Sequence, residues 1–143
     1  MIMKYQAKLS GPLMDRIDLH INVNAVDVDK LITQKSNLKT QNSRQIRELV
    51  VKARKIQEKR FKGLKIYTNA QMKNKHIKEF CKIEPKAYLL LKQAVNTYNL
   101  SARTYFRLIK VSQTIADLSP EPSRRISSAH VAEALQYRIR TGD

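Results

Sequence analysis

Arg16 is the first residue of this chain whose type and setting could do chemistry. It follows Gly11-Pro12-Leu13-Met14-Asp15 and precedes Ile17-Asp18-Leu19. Gly-Pro breaks whatever comes before it, and an alternating stretch follows, which puts the arginine at a sheet edge on the lip of a domain. A guanidinium is a rigid planar fork that matches the spread charge of a phosphoryl group better than an ammonium does. Arg103 stands in the first turn of an expected helix behind Ser101. The helix dipole disfavours a cation there and favours a phosphate. Arg107 lies one turn on and could serve in its place. A third set, Arg44, Arg47, Lys52, Lys55, Lys59 and Lys62, falls opposite the apolar face of a helix and could lie along a phosphate backbone. Each set has a plainer reading. Arg16 could pair with Asp15 or Asp18, Arg103 could be a surface arginine, and the basic face could simply be solvated.

The charge balance favours an anionic partner. Lys and Arg total 28 against 12 acidic residues, a net of +16, and residues 30–92 hold 18 basic side chains and 4 acidic ones. Localised excess charge is the electrostatic mark of a polyanion partner. Other chemistries find little support. His20, His76 and His130 are too scattered for a metal site, and the single cysteine, Cys81, permits neither an internal disulfide nor a cysteine-based metal site. Cys81 reads as a small core residue, and His130 as a packing or capping one. Gly11, Gly63 and Gly142 are isolated, so no glycine-rich phosphate cradle is present. Neither a catalytic triad nor a paired-carboxylate site can be assembled. No apolar run approaches the ~20 residues of a membrane span. The start of the chain is too short to be a signal peptide. The expectation is a cytoplasmic protein.

These residues need elements to hold them. The chain has 143 residues, 42% hydrophobic, with 3 Gly, 4 Pro and no Trp, which favours helices over a turn-rich β fold. Residues 17–26 alternate, with Ile17, Leu19, Ile21 and Val23 on one side, and read as the one convincing strand. A lone strand needs a sheet from elsewhere. Ser43 is the expected cap of a helix to about Phe61, with Ile46, Leu49, Val50, Ala53 and Ile56 inward. Arg60 falls in that apolar sector and is expected to snorkel outward. Gly63 ends the helix. Asn69 could cap a brief turn, and a short helix runs from Asn74 or Lys75 to Phe80. Pro85 opens a helix over about 84–98. Ser101 caps one over 102–118, with Tyr105, Phe106, Ile109, Ser112, Ile115 and Ala116 inward. Ser119-Pro120-Glu121-Pro122-Ser123 breaks the chain, and Ser127 or Ser128 caps a last helix carrying Val131, Ala134, Leu135 and Arg138.

Two long spans resemble the magnesium-chelatase-like AAA+ ATPases, nearest their competence-protein group. The first is Tyr5-Gln-Ala-Lys-Leu-Ser-Gly-Pro-Leu-Met-Asp-Arg-Ile-Asp-Leu-His20. The second is Leu100-Ser-Ala-Arg-Thr-Tyr-Phe-Arg-Leu-Ile-Lys-Val111, continued by Thr114 to Leu118, His130 and Glu133 to Arg138. Asn69-Ala70 and the pattern Ala53-Arg54, Gln57, Arg60 also match.

The resemblance implies a mostly α fold. An AAA+ C-terminal helical lid bundle of four to five helices (43–140) would follow a strand-bearing remnant of the α/β ATPase core (1–28) and a linker (29–42). It implies a trans arginine finger at Arg16 and a sensor-2 arginine at Arg103, with Arg107 as understudy. The Walker A loop and Walker B strand of that family are missing from these residues, so this stretch by itself should not hydrolyse ATP. It looks like the C-terminal portion of a longer protein, in which ATP with Mg²⁺ would be bound. The implied partners are its own N-terminal ATPase core, neighbouring subunits in a ring, a hexamer, and DNA as a track for branch migration. Two alternatives stay open. One is a stand-alone basic helical module that grips nucleic acid through residues 44–62, and the other a chelatase-type motor partner acting on proteins.

Overall fold

The computed structural model describes residues 16–21, 23, 42–120, 122–123 and 125–137. The Gly11-Pro12 segment, the expected linker short of Asn42, and Arg138 lie outside the described residues.

Five α-helices and two very short strands make up this part. Helix α1 spans Ser43–Arg60, α2 Asn74–Phe80, α3 Pro85–Tyr98, α4 Ala102–Leu118 and α5 Ser128–Gln136. Strand β1 is Lys82–Ile83 and β2 is Arg125–Ile126. The expected helices are all present, and the fold is the mostly helical lid bundle.

The helix starts follow from local hydrogen bonding. Asn42, rather than Ser43, caps α1: its side chain accepts from the Gln45 N–H, and the Gln45 Oε1 accepts from the Asn42 N–H at 3.1 Å. This reciprocal box satisfies two donors that a bare helix end leaves orphaned. Ser101 caps α4 by accepting from the Thr104 N–H. Pro85 occupies the first turn of α3, where its missing N–H costs nothing. His76 and His130 play matching parts three residues into α2 and α5. Each Nδ1 accepts a backbone N–H, from Lys73 and Ser127 respectively, at 3.1 Å. His130 is thus a capping residue, further tied to the Ser119 hydroxyl at 3.4 Å.

Helix α1 stops at Arg60 with Phe61 as its C-cap, two residues before Gly63. Gly63 has φ +84, a left-handed conformation open to glycine at no steric cost. Asn99 takes φ 47 at the end of α3.

The strands differ from expectation. Among the described residues of the 17–26 stretch none lies in a strand, and Ile17, Leu19, Ile21 and Val23 are all exposed. The physical reason is that period-2 alternation marks a strand only when a neighbouring strand takes up its backbone groups. The strands that do form are two residues long, too short for any periodicity. They pair in parallel, Lys82 with Arg125 and Ile83 with Ile126, and the Glu84 N–H extends the ladder to the Ile126 carbonyl at 3.0 Å. They join the α2–α3 connection to the α4–α5 connection, with Ile126 fully buried.

Helix α4 is the hub. It packs against α5, α1, α2, β2 and the 3₁₀ turn Asn69–Gln71. The core gathers Phe61, Met72, Ile77, Cys81, Ala87, Leu91, Leu108, Ile109, Ile126, Val131 and Ala134. Phe61 meets Phe80 edge to face at 5.5 Å, an arrangement the ring quadrupoles favour.

Candidate functional site: the two ends of helix α4

The first turns of α4 open onto a cleft of about 470 Å³ lined by Asp18, Asn74, Ala102, Arg103, Phe106, Arg107 and Lys110. Arg103, Arg107 and Lys110 sit at intervals of four and three residues, so they share one face of the helix. Arg103 is exposed at the helix start. Arg107 and Lys110 are engaged. The Arg107 Nε lies 2.5 Å from Asp18 Oδ1, and its Nη1 donates to the Ile17 carbonyl at 3.2 Å. The Lys110 ammonium donates to the Ala70 carbonyl at 3.0 Å. Arg103 at the helix start, with Arg107 one turn and Lys110 about two turns further on, makes an anion-accepting surface. These residues suit an anion such as a phosphate group. They include one carboxylate, Asp18, already paired with Arg107, so the cleft as described offers little for Mg²⁺. Among the described residues no group of three or more His, Cys, Asp or Glu could hold a metal ion.

Arg16 is exposed, two residues from the Asp18 that Arg107 grips. The same short segment is anchored again at His20, whose N–H donates to the Tyr137 carbonyl just past α5 at 2.8 Å. The structure therefore brings Arg103, Arg107 and the segment carrying Arg16 to one end of α4.

The other end of α4 holds a polar network that sequence reasoning missed. Arg60 does not snorkel outward. Its Nη2 lies 2.5 Å from Asp117 Oδ1 and its Nη1 lies 2.7 Å from Oδ2, a two-point grip with Asp117 almost fully buried. Asn69 Nδ2 donates to Asp117 Oδ2 at 2.8 Å and Gln113 Nε2 to Oδ1 at 3.2 Å. Gln57 Nε2 reaches Oδ2 at 3.4 Å, and Arg60 Nη1 also donates to Asn69 Oδ1 at 2.9 Å. Asn69 also donates to the Thr114 hydroxyl at 3.1 Å. One carboxylate thus ties α1, the 3₁₀ turn and α4 together. Burial forced this outcome, because a charge out of water must be paired and hydrogen-bonded. The available signal was register: Gln57 and Arg60 on the inward face of α1, and Asp117 beside Ala116 on the inward face of α4. Polar groups on two facing interiors must find each other.

The remaining candidates stand apart. Arg44, Arg47, Lys52, Lys55, Lys59 and Lys62 are all exposed, the first five on the side of α1 opposite Ala53 and Gln57 and Lys62 just past the helix end. Arg44 pairs with Glu48 one turn on at 3.3 Å, with both side chains largely in solvent, a contact worth little. Cys81 is buried, and desolvation pushes its thiol up to about 11. No described helix is long and apolar enough to cross a membrane.

Residues 40–138 match the C-terminal family of the magnesium chelatase subunit ChlI, and residues 1–31 match the ChlI family itself. The competence protein ComM of Haemophilus influenzae is 42% identical over 96% of this chain, which covers 25% of that protein. The uncharacterized protein YifB of Escherichia coli is 33% identical over 95% of the chain, again 25% of its length. The uncharacterized protein Rv2897c of Mycobacterium tuberculosis is 30% identical over 94% of the chain and 26% of its length. The chain spans about a quarter of the curated relatives it matches. With the helical architecture and the match over its helices taken together, this chain belongs to the magnesium chelatase ChlI C-terminal family.

Proposed function

We propose that this chain is the C-terminal part of a ring-forming AAA+ ATPase of the ComM type. Residues 43–140 form its helical lid, 29–42 a linker, and 1–28 the end of its ATPase core. The observation that carries the reading is the cationic cleft at the start of α4, with Arg103 exposed in it and the Arg16 segment bound beside it. In this reading Arg103 holds phosphate oxygens of ATP bound in its own subunit. Arg16 reaches the ATP of a neighbouring subunit and stabilises charge on the transferring phosphoryl group. ATP with Mg²⁺, held by the ATPase core, supplies the phosphoryl chemistry, and the role of these residues is positioning and electrostatics. A finger supplied across a subunit boundary is worth roughly 10³–10⁵ in rate. The partners are the ATPase core, neighbouring subunits in a hexameric ring, and DNA.

The test is ATP hydrolysis by rings that mix two variants, Arg16→Ala subunits and subunits with a disabled Walker A lysine. Each kind is inactive alone. Mixed rings recover activity where an intact finger faces an intact ATP site. If Arg16→Ala rings hydrolyse ATP at the wild-type rate, the finger assignment fails.

A second reading has its own support. The five basic side chains on the outer face of α1, and Lys62 just past its end, are all exposed, and none of them lines the cleft. They could grip nucleic acid with no nucleotide involved. DNA binding by the 143-residue chain, with a steep salt dependence lost in a Lys52, Lys55 and Lys59 to Ala variant, would favour it.

A further inference from the structure

Arg107 stands in the cleft, yet its guanidinium is already committed. Nε meets the Asp18 carboxylate at 2.5 Å and Nη1 donates to the neighbouring Ile17 carbonyl at 3.2 Å. Its side chain is 18% exposed, against 57% for Asp18. The fork therefore grips a backbone carbonyl and the next side chain of one strap, and it does so from inside the helix surface. Among the strap's described residues, Ile17, Leu19 and Ile21 are exposed and contribute little to the core. Another hold is the His20 N–H on the Tyr137 carbonyl at 2.8 Å, at the end of α5, which packs on α4. Within the strap the His20 ring closes a local turn on the Ile17 carbonyl at 3.1 Å.

These two holds are on the α4–α5 pair. Arg107 is one helical turn from Arg103, a rise of about 6 Å along a continuous helix. Arg16 is two residues from Asp18. The distance from a group that meets one ATP to a group that meets the next is thus bridged by one turn of helix, one bidentate grip and two residues of chain.

We propose that Arg107 is a positioning residue that clamps the Arg16 segment to helix α4, so that the placement of Arg103 on its own subunit's nucleotide sets the reach of Arg16 toward the neighbour's. This rests on the assignment of Arg16 and Arg103 to ATP hydrolysis. The clamp makes the lid helix and the finger one mechanical body. When the start of α4 moves relative to the ATPase core, Asp18 moves with it, and Arg16 follows. Energetic coupling between sites needs such a contiguous physical link, with an element whose position both sites bias.

The clamp and a direct nucleotide contact by Arg107 predict opposite results at Asp18. In a clamp, Asp18→Asn weakens the grip and imitates Arg107→Ala. For a nucleotide ligand, Asp18→Asn frees the guanidinium and leaves hydrolysis intact or raised.

The experiment has two arms. In the 143-residue chain, amide hydrogen exchange is followed at Leu19, His20 and Ile21. The expected result is at least tenfold faster exchange of His20 in Arg107→Ala and in Asp18→Asn, with Arg107→Lys between them and wild type. The exchange of α4 itself should stay unchanged. Unaltered exchange at His20 in both variants overturns the clamp whatever the function of the protein. In the assembled ATPase, Arg107→Ala and Asp18→Asn should each lower kcat roughly 10–100-fold with ATP KM unchanged, the scale expected from misplacing a catalytic group by about 1 Å. Walker-A-disabled subunits, whose straps are intact, should restore activity to either variant in mixed rings. Weakened ATP binding in Arg107→Ala, without complementation and with Asp18→Asn unaffected, overturns the proposal in favour of a nucleotide ligand. Normal hydrolysis by Arg16→Ala removes the finger, and the proposal falls with it. That outcome is recognisable because Arg16→Ala itself reports it while the exchange arm still reads the clamp.

Discussion

Helix α4 presents arginine chemistry at both ends, and the two ends use it oppositely. At the C-terminal end Asp117 is 2% exposed and meets Arg60 with both carboxylate oxygens. Asn69, Gln57 and Gln113 take up the remaining lone pairs. At the N-terminal end Arg103 is exposed and Arg107 holds an exposed strap. The difference is solvation. A guanidinium removed from water must be fully partnered by the fold, and it is then unavailable to any ligand. A guanidinium left in water costs the fold little and can exchange its hydration for an anion.

The comparison breaks first at Asp117. Asp117→Ala leaves Arg60 desolvated beside unpaired amides, which should cost about 3–5 kcal/mol. In a domain of this size that lowers Tm by roughly 12 °C or more. Thermal unfolding of the chain measures it. The double variant Arg60→Met, Asp117→Leu removes both charges and should recover much of the loss. A double variant as unstable as Asp117→Ala would show that the pair contributes more than mutual neutralisation.

The opposite end should show the reverse pattern. Arg103→Ala should change stability by no more than about 0.5 kcal/mol, the usual range for an exposed site, while weakening ATP hydrolysis by the assembled ring. If Arg103→Ala unfolds the chain as Asp117→Ala does, the two ends are not different in kind. The outer face of α1 is a third solvated set. Replacing Lys52, Lys55 and Lys59 by Ala should leave Tm nearly unchanged. If all three meet phosphates, the salt-dependence slope of DNA binding should fall by about 3. An unchanged slope would assign that face to solubility alone.

Near neutral pH the smallest expected effect is at Cys81, whose contribution changes only in alkali; it lies within electrostatic reach of Arg60, Asp117 and Lys110. Burial raises its thiol from 9.0 to about 11. The folded state thus keeps a proton that the unfolded chain releases at lower pH. The associated stability is whole below pH 9 and is lost as pH climbs from about 9 to 11. Subtracting the stability profile of Cys81→Ala from that of the wild type isolates this loss. Thiol labelling of the folded chain at pH 8 should be slow and should accelerate on unfolding. Rapid labelling of the folded chain at pH 8 would show that Cys81 is accessible.

Much of the bundle was legible because its signals are local. Pro85 opening α3, Ser101 capping α4 and the Ser119-Pro120 break each act within one turn, and the structure follows all three. The α1 boundary shifted by one residue because Asn42 and Ser43 are both good caps, and Gln45 completes a box only with Asn42. The two-residue strands were invisible for lack of length, and the alternation of residues 17–21 misled for lack of a partner strand. Gly63, the expected helix end, sits about one turn past Arg60, at positive φ.

The sequence by itself determined, to within a turn, where helices begin and stop, and which face of α1 is basic. These depend on residue type and on spacing within a few residues. Tertiary structure alone decided that Arg60 turns inward to Asp117, 57 positions away, and that Arg107 reaches back 89 positions to Asp18. A side chain's partner across the fold depends on how helices pack. Packing also sets which charges lose their water, and a charge without water takes whatever opposite group the fold brings within reach.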